Sequence, residues 1–242
     1  MTTSLATSHE LKGGVIAAGH GVRLRADGYR MSKPMTPVGG RPLIDHALAR
    51  FRAAGVRRVT ILINEESDDC RRWLDRNAGD FDIDLVVRTT PSSYASFQLV
   101  ASRLAHGPAV ITTVDSIMPI EDFRLFLRSA AALPSDAASL ALTAHVDDDN
   151  PLWATLGAGG RILRLGGGSG SHVTAGLYYL PASRPLEPAT GFARLRDYLA
   201  WLIERAPVYG VVLPLVFDID RARDVKAAEQ NAPQPLQEAA GE

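Results

Sequence analysis

One cysteine, Cys70, stands in the 242 residues, which excludes an internal disulfide and a thiolate metal cluster. Charge of neither sign is in surplus, since 26 lysines and arginines meet 27 aspartates and glutamates. A nucleic-acid-binding protein needs a basic face or stripe against phosphates, so no nucleic-acid partner is expected. A local basic pocket for a few phosphate groups is still compatible with that balance. Long hydrophobic runs are missing as well, and no segment is long enough to span a bilayer. Met1–Glu10 lacks the apolar stretch of a secretory signal, so a soluble cytoplasmic protein with no membrane partner is expected.

What is present is a globular composition, 46% hydrophobic and 22% charged, which favours a folded chain. The length suits one α/β domain with a substantial core. That domain is expected over residues 11–230, with 1–10 and 231–242 as flexible tails. The second tail is rich in Ala, Pro, Gln and Glu.

Between the tails, strand-like and helix-like segments alternate. Gly13–Ala17 reads as a short strand, Pro42–Ala54 as a helix, and Arg58–Asn64 as a β-branched strand. A helix from Ser67 turns Cys70, Trp73 and Leu74 inward, and Ile83–Arg88 is the next strand. Tyr94–Ala105 and Pro119–Leu133 read as helices around a strand at Ala109–Val114. This rhythm implies an α/β fold: a Rossmann-like three-layer sandwich with a mixed, mostly parallel sheet. The second half adds a strand at Ala138–Val146 and a β-hairpin insertion, Leu152–Leu156 and Arg161–Leu165, around a glycine turn. Val173–Leu180 and Val208–Phe217 read as strands and Phe192–Arg205 as a helix, with Asp220 as a cap for a last helix.

The glycine loop after the first strand, Ala17-Ala-Gly-His-Gly-Val-Arg23, stands where α/β proteins bind phosphates. It is not a dinucleotide fingerprint, because Gly19 and Gly21 have no third glycine at the required spacing. It is not a Walker loop either, since His20 occupies the place of the lysine. A lysine comes instead in Ser32-Lys-Pro-Met-Thr-Pro-Val-Gly-Gly-Arg-Pro-Leu-Ile44. Prolines and glycines there fix a loop that presents one ammonium just before a helix. Arg23 and Lys33 would supply positive charge where a triphosphate lies over backbone N–H groups.

Taken together, A-A-G-x-G-x-R-L over Ala17–Leu24 and K-P-M-x-P-V-x-G-x-P-L-I over Lys33–Ile44 resemble one known signature. It opens the nucleotidyltransferases that make nucleotide sugars, the sugar-phosphate pyrophosphorylases. The resemblance implies that Ala17, Ala18, Gly19 and Gly21 bind the nucleotide and that Arg23 and Lys33 are catalytic. It implies Mg²⁺ as cofactor, held by two aspartates. Asp115, at the end of Ala-Val-Ile-Thr-Thr-Val-Asp, is the first. Asp218 in Phe217-Asp-Ile-Asp-Arg-Ala-Arg-Asp-Val is the second, although Asp220 could exchange roles with it. Thr174-Ala-Gly-Leu-Tyr178 resembles the family's Asn-Ala-Gly-Ile-Tyr strand, giving Thr174 and Gly176 as substrate-binding residues.

The chain also departs from the pattern. Val114 replaces the usual glycine before the first metal aspartate. Pro91-Ser-Ser-Tyr-Ala-Ser-Phe97 lacks the glycine of a Pro-x-Gly-Thr-Ala-like segment, which leaves the base open. No Glu-Lys-Pro follows the hairpin, so Arg164 or His172 is the candidate cation for the acceptor phosphate. Asp147-Asp-Asp149 reads as a solvated turn rather than a metal site. The expected partners are an NTP and a phosphorylated small-molecule acceptor, a sugar 1-phosphate, which attacks the α-phosphorus and releases pyrophosphate. Two alternatives stay open. One is a cytidylyltransferase for phosphocholine or another phosphorylated alcohol, or a molybdopterin-type transferase. The other is a catalytically weak homologue that binds nucleotide sugars and regulates a partner.

Overall fold

The computed structural model describes residues 10–146, 150–183 and 191–231. The Asp147–Asp149 run lies outside them, and so do the two expected tails apart from Glu10 and Asn231.

Strand β1 (Lys12–Ala17) leads through the glycine loop into a short helix, α1 (Val22–Ala26). A 3-10 turn at Lys33–Met35 and a small ribbon, β2 (Pro37–Val38) with β3 (Arg41–Pro42), precede α2 (Leu43–Ala53). Then follow β4 (Arg58–Ile63), α3 (Asp68–Asn77), β5 (Asp82–Val87), α4 (Ser93–Arg103) and β6 (Ala109–Thr113). Strands β6, β1, β4 and β5 lie side by side and parallel. Five successive residues of β4, Val59–Ile63, are buried, the mark of a strand covered on both faces.

The second half runs β7 (Ser116–Ile117), α5 (Ile120–Ala131), β8 (Ala138–Thr143), β9 (Trp153–Leu156), β10 (Ile162–Leu165) and β11 (His172–Leu180). It closes with α6 (Leu195–Ile203), β12 (Val208–Leu213), β13 (Phe217–Asp218) and α7 (Ala222–Asn231). The long strand β11 turns the sheet antiparallel: it pairs β6 and β8, and its start pairs the β9–β10 hairpin. Strand β12 extends β8 in parallel at the far edge. Apolar side chains of α2, α3, α5 and α7 share one core, and those of α4 and α6 the other. The expected three-layer sandwich with a mixed sheet and a hairpin in its second half is therefore the observed one.

One element differs. Val208–Phe217, read as a single strand, breaks at Pro214: β12 ends at Leu213, and Phe217–Asp218 pairs antiparallel with β7 instead. Proline offers no N–H to a ladder, so the chain leaves the sheet there. The result is a two-stranded β7–β13 ribbon with Asp115 just before one strand and Asp218 on the other. The Ile219 N–H donates to the Asp115 carbonyl at 3.1 Å and ties the two segments together.

Cys70 is fully buried on α3 with Leu74 beside it, as expected. Burial, with Asp69 adjacent, pushes its thiol up to about 12, so it stays protonated and inert at neutral pH.

Candidate functional site

A cleft of about 610 Å³ opens where β6 ends, the crevice at strand carboxyl ends where open α/β sheets take ligands. Arg23, Asp115, Thr174, Gly176 and Asp218 all line it, together with Asp220. Six of the residues singled out in the sequence, drawn from four separate segments, thus meet in one place. Lys33 reaches the same carboxylates from below. Its Nζ donates to Asp115 and, at 2.6 Å, to Asp220 Oδ1. Arg23 Nη1 donates to the other oxygen of Asp220 at 2.9 Å. Two cations and two carboxylates form a chain of charge-assisted bonds.

Lys33 is 8% exposed. Burial works against its charge, but the carboxylates of Asp115, Asp220 and Asp218 outweigh it and hold the pKa above the usual lysine value. Burial likewise opposes the Asp220 charge, and Lys33 and Arg23 overcome it, so its pKa is lowered. The Tyr178 phenol at the cleft wall is raised by burial and then by Asp115 and Asp218, and stays neutral.

The position of Lys33 is set by its neighbours. Ser32 donates to Asp69 of α3 through its N–H at 2.9 Å and its hydroxyl at 2.6 Å. Gly21 has φ 62°, and a Cβ there would sit 3.0 Å from Lys33 Cβ. Glycine therefore serves both the left-handed backbone and the close packing of the loop on the lysine. Asn64, at the end of β4, donates from Nδ2 to the carbonyls of Ala18 and Gly19 at 3.2 and 3.3 Å. Ala17 and Ala18 are buried. None of Ala17, Ala18, Gly19 and Gly21 lines the 610 Å³ cleft; they form the bed beside Lys33.

Asp220 does not cap the last helix. Its carboxylate faces Lys33 and Arg23, while Asp224 accepts from the N–H groups of Asp220 and Arg221 at 2.9 and 2.7 Å. Asp27 accepts from Ala222 N–H at 2.8 Å. Asp224 thus does the reciprocal work of a capping box and leaves Asp220 for the cleft.

Of the two cations expected for an acceptor phosphate, Arg164 donates to the Ser169 carbonyl at 3.4 Å and His172 pairs with the Ser171 hydroxyl at 2.8 Å. Neither lines the cleft. Arg194 and Arg196, just before and within α6, do. Arg194 is paired with Asp197 at 2.9 and 3.0 Å. Arg196 donates to the carbonyl of Asn150 at 2.7 Å and to its side-chain oxygen at 3.0 Å. No motif announces them, nor Asn64, Asp69 and Asp224, because their roles arise from contacts distant in sequence.

The donor set on the cleft wall, three carboxylates, consists of hard oxygens suited to Mg²⁺. Among the described residues no group of three His, Cys, Asp or Glu side chains is arranged to hold a metal by itself.

Solved structures share the fold. The UTP-bound UGPase from Acinetobacter baumannii matches with a TM-score of 0.76 at 16% identity, covering 92% of each chain. The inositol-1-phosphate CTP transferase from T. maritima matches with a TM-score of 0.73 at 17% identity, covering 94% of this chain and 99% of that one. A curated relative, the 2-C-methyl-D-erythritol 4-phosphate cytidylyltransferase of Cereibacter sphaeroides, is 31% identical over 149 residues, 62% of this chain and 63% of that protein. Glucose-1-phosphate thymidylyltransferase of Actinoplanes sp. is 29% identical over 117 residues, 47% of this chain and 39% of that protein. The CMP-5'-(3-aminopropyl)phosphonate synthase of Streptomyces rubellomurinus is 34% identical over 91 residues, 38% of this chain and 14% of that protein. The chain thus spans less than two thirds of the length of each of these three curated relatives. These relatives are nucleotidyltransferases of both the sugar-phosphate and the cytidylyl kind. Residues 13–202 match the profile of the MobA-like NTP transferase domain, and the chain belongs to that family.

Proposed function

We propose that the chain transfers an NMP group from an NTP to a phosphorylated small-molecule acceptor, a sugar 1-phosphate, and releases pyrophosphate. The observation that carries this reading is the convergence of Lys33, Arg23, Asp115, Asp218 and Asp220 where the glycine loop meets the cleft at the end of β6.

An acceptor phosphate oxygen attacks the α-phosphorus in line with the departing pyrophosphate. The acceptor is already an anion, so no general base is needed, and positioning and charge stabilisation carry the catalysis. The glycine-loop N–H groups cradle the triphosphate beside Lys33. Lys33 neutralises charge that builds on the reacting phosphates, and Arg23 does so on the leaving group. Asp115 and Asp218 would hold Mg²⁺, which when bound would supply positive charge to neutralise the reacting phosphates. Asp220 positions the two cations. Arg194 and Arg196 bring positive charge to the acceptor end, in place of the lysine of the missing Glu-Lys-Pro.

A second reading places CTP and a phosphorylated alcohol in the same cleft. It is supported by the absent Glu-Lys-Pro and by the cytidylyltransferase match over 62% of the chain. Incubation of each of the four NTPs and Mg²⁺ with a panel of sugar 1-phosphates, methylerythritol phosphate and phosphocholine separates the two. Pyrophosphate release with a sugar 1-phosphate supports the first reading. Release only with CTP and a phosphorylated alcohol replaces it by the second. Nucleotide-sugar binding without release from any pair points to a regulatory homologue.

A further inference from the structure

A second cleft, of about 530 Å³, lies between α2, the β7–β13 ribbon, the start of α5 and the end of α7. Its walls are mostly apolar, with Ile117, Met118, Pro119, Leu215 and Phe217 among them. It backs onto the ribbon whose Asp115 and Asp218 face the other cleft, and the proposed transfer reaction makes no use of it.

Arg50 of α2 lines this second cleft and is 2% exposed. Its Nε and Nη2 are both buried and have no hydrogen-bond partner among the described residues. The other charged groups on the walls are engaged. Arg41 donates to Asp45 at 2.7 Å, and Arg124 donates to Glu121 at 2.6 Å and to the Ala53 carbonyl at 2.8 and 3.2 Å. His46 is bonded to the Val38 carbonyl at 2.9 Å and, held down to about 4 by burial, is neutral. Burial lowers the Arg50 guanidinium to about 10, so at neutral pH it keeps its charge. A buried charge without a counter-ion is destabilising and persists where something else compensates it.

Nε and Nη2 lie on the same edge of the guanidinium. Their N–H bonds run parallel at the spacing of two carboxylate oxygens, the geometry of a bidentate pair. We propose that the second cleft binds a small carboxylate with an apolar body, its carboxylate paired with Arg50 and its body against the apolar wall. Both nitrogens are sealed from solvent, so binding turns the guanidinium edge toward the cleft. The flanking Glu121 carboxylate favours a monoanion over a phosphate dianion. The proposal stands apart from the transferase reading, because its test reads binding alone.

The probes are 4-phenylbutyrate, its uncharged counterpart 4-phenylbutanol, and phenyl phosphate, applied to the full chain by calorimetry and thermal shift. Saturable 4-phenylbutyrate binding is expected, with a Tm rise of about 3–5 °C at tenfold excess over Kd. Neither the alcohol nor phenyl phosphate should match it. Arg50→Met should raise the ligand-free Tm, since an apolar chain of similar size replaces an unpaired buried charge, and should abolish the carboxylate-dependent rise. Ala49→Trp narrows the cleft with Arg50 intact and should also abolish binding. Undiminished binding in both variants would overturn the proposal, and so would phenyl phosphate binding as tightly as the carboxylate. Silence of every probe up to about 10 mM, beyond ordinary ligand affinity, would overturn it too. A change of oligomeric state in Arg50→Met without probe binding would assign the guanidinium to a second copy of the chain instead.

Discussion

Lys33 carries the largest electrostatic burden in the first cleft. It is the buried cation between Asp115 and Asp220. Lys33→Ala is expected to lower turnover at least ~100-fold, the scale for losing one well-placed charge-stabilising donor; steady-state pyrophosphate release, with Tm as a folding control, measures it. Gly176 makes a different demand. It has φ 64° at the irregularity where the β11–β8 register shifts between Thr174 and Tyr178. A Cβ there would come within 2.1 Å of Ser116 Oγ and 2.4 Å of Thr113 Oγ1. Gly176→Ala should therefore destabilise the fold by about 1–3 kcal/mol through strain and overpacking, read by denaturant unfolding. It should also impair turnover, because the displaced strand and the Asp115–Ser116 turn share the cleft wall.

Element by element, the first half of the chain was legible because its signals are local. The glycine loop, the proline-framed Lys33 segment and the end of β6 at Asp115 each carry their meaning within a few residues. The second half was less so. Pro214 was the available sign that Val208–Phe217 does not continue, and only pairing with β7 shows where Asp218 and Asp220 go. An aspartate just before a helix usually caps it, but Asp220 does not; Asp224, one turn on, does that work instead. Arg194 and Arg196 replace Arg164 and His172 at the cleft because α6 folds back over the sheet, which no spacing within the segment reports. Helix α2 offers a test of its own. His46 is buried with its pKa lowered to about 4, against an ordinary value of 6.5. Between those values the unfolded chain binds a proton that the folded chain refuses, so stability falls as pH drops from 6.5 toward 4. The full effect is about 3 kcal/mol. His46→Gln, which keeps an N–H for the Val38 carbonyl, should flatten that part of the stability–pH curve in chemical denaturation at stepped pH. A curve of unchanged slope would show that other groups set the acid sensitivity.

At the scale of the whole molecule, one mixed sheet separates two cores, and its strand ends bring four distant segments to a single cleft. The β7–β13 ribbon is the hinge of that arrangement. It carries Asp115 and Asp218 toward the first cleft and backs onto the second with Ile117 and Phe217. No helix among the described residues is long and apolar enough to cross a membrane. The chain shares the family and the fold, and its departures from the usual motifs fall beside the first metal aspartate, in the segment expected at the base and after the hairpin. The most direct test is the stoichiometry of a reaction with the matching NTP and acceptor, followed by mass spectrometry and a pyrophosphate assay. The acceptor is expected to gain one nucleoside monophosphate unit for each pyrophosphate released, with Lys33→Ala suppressing both together. An NDP product with a phosphorylated acceptor, or tight binding of both substrates with no change in either, would contradict it.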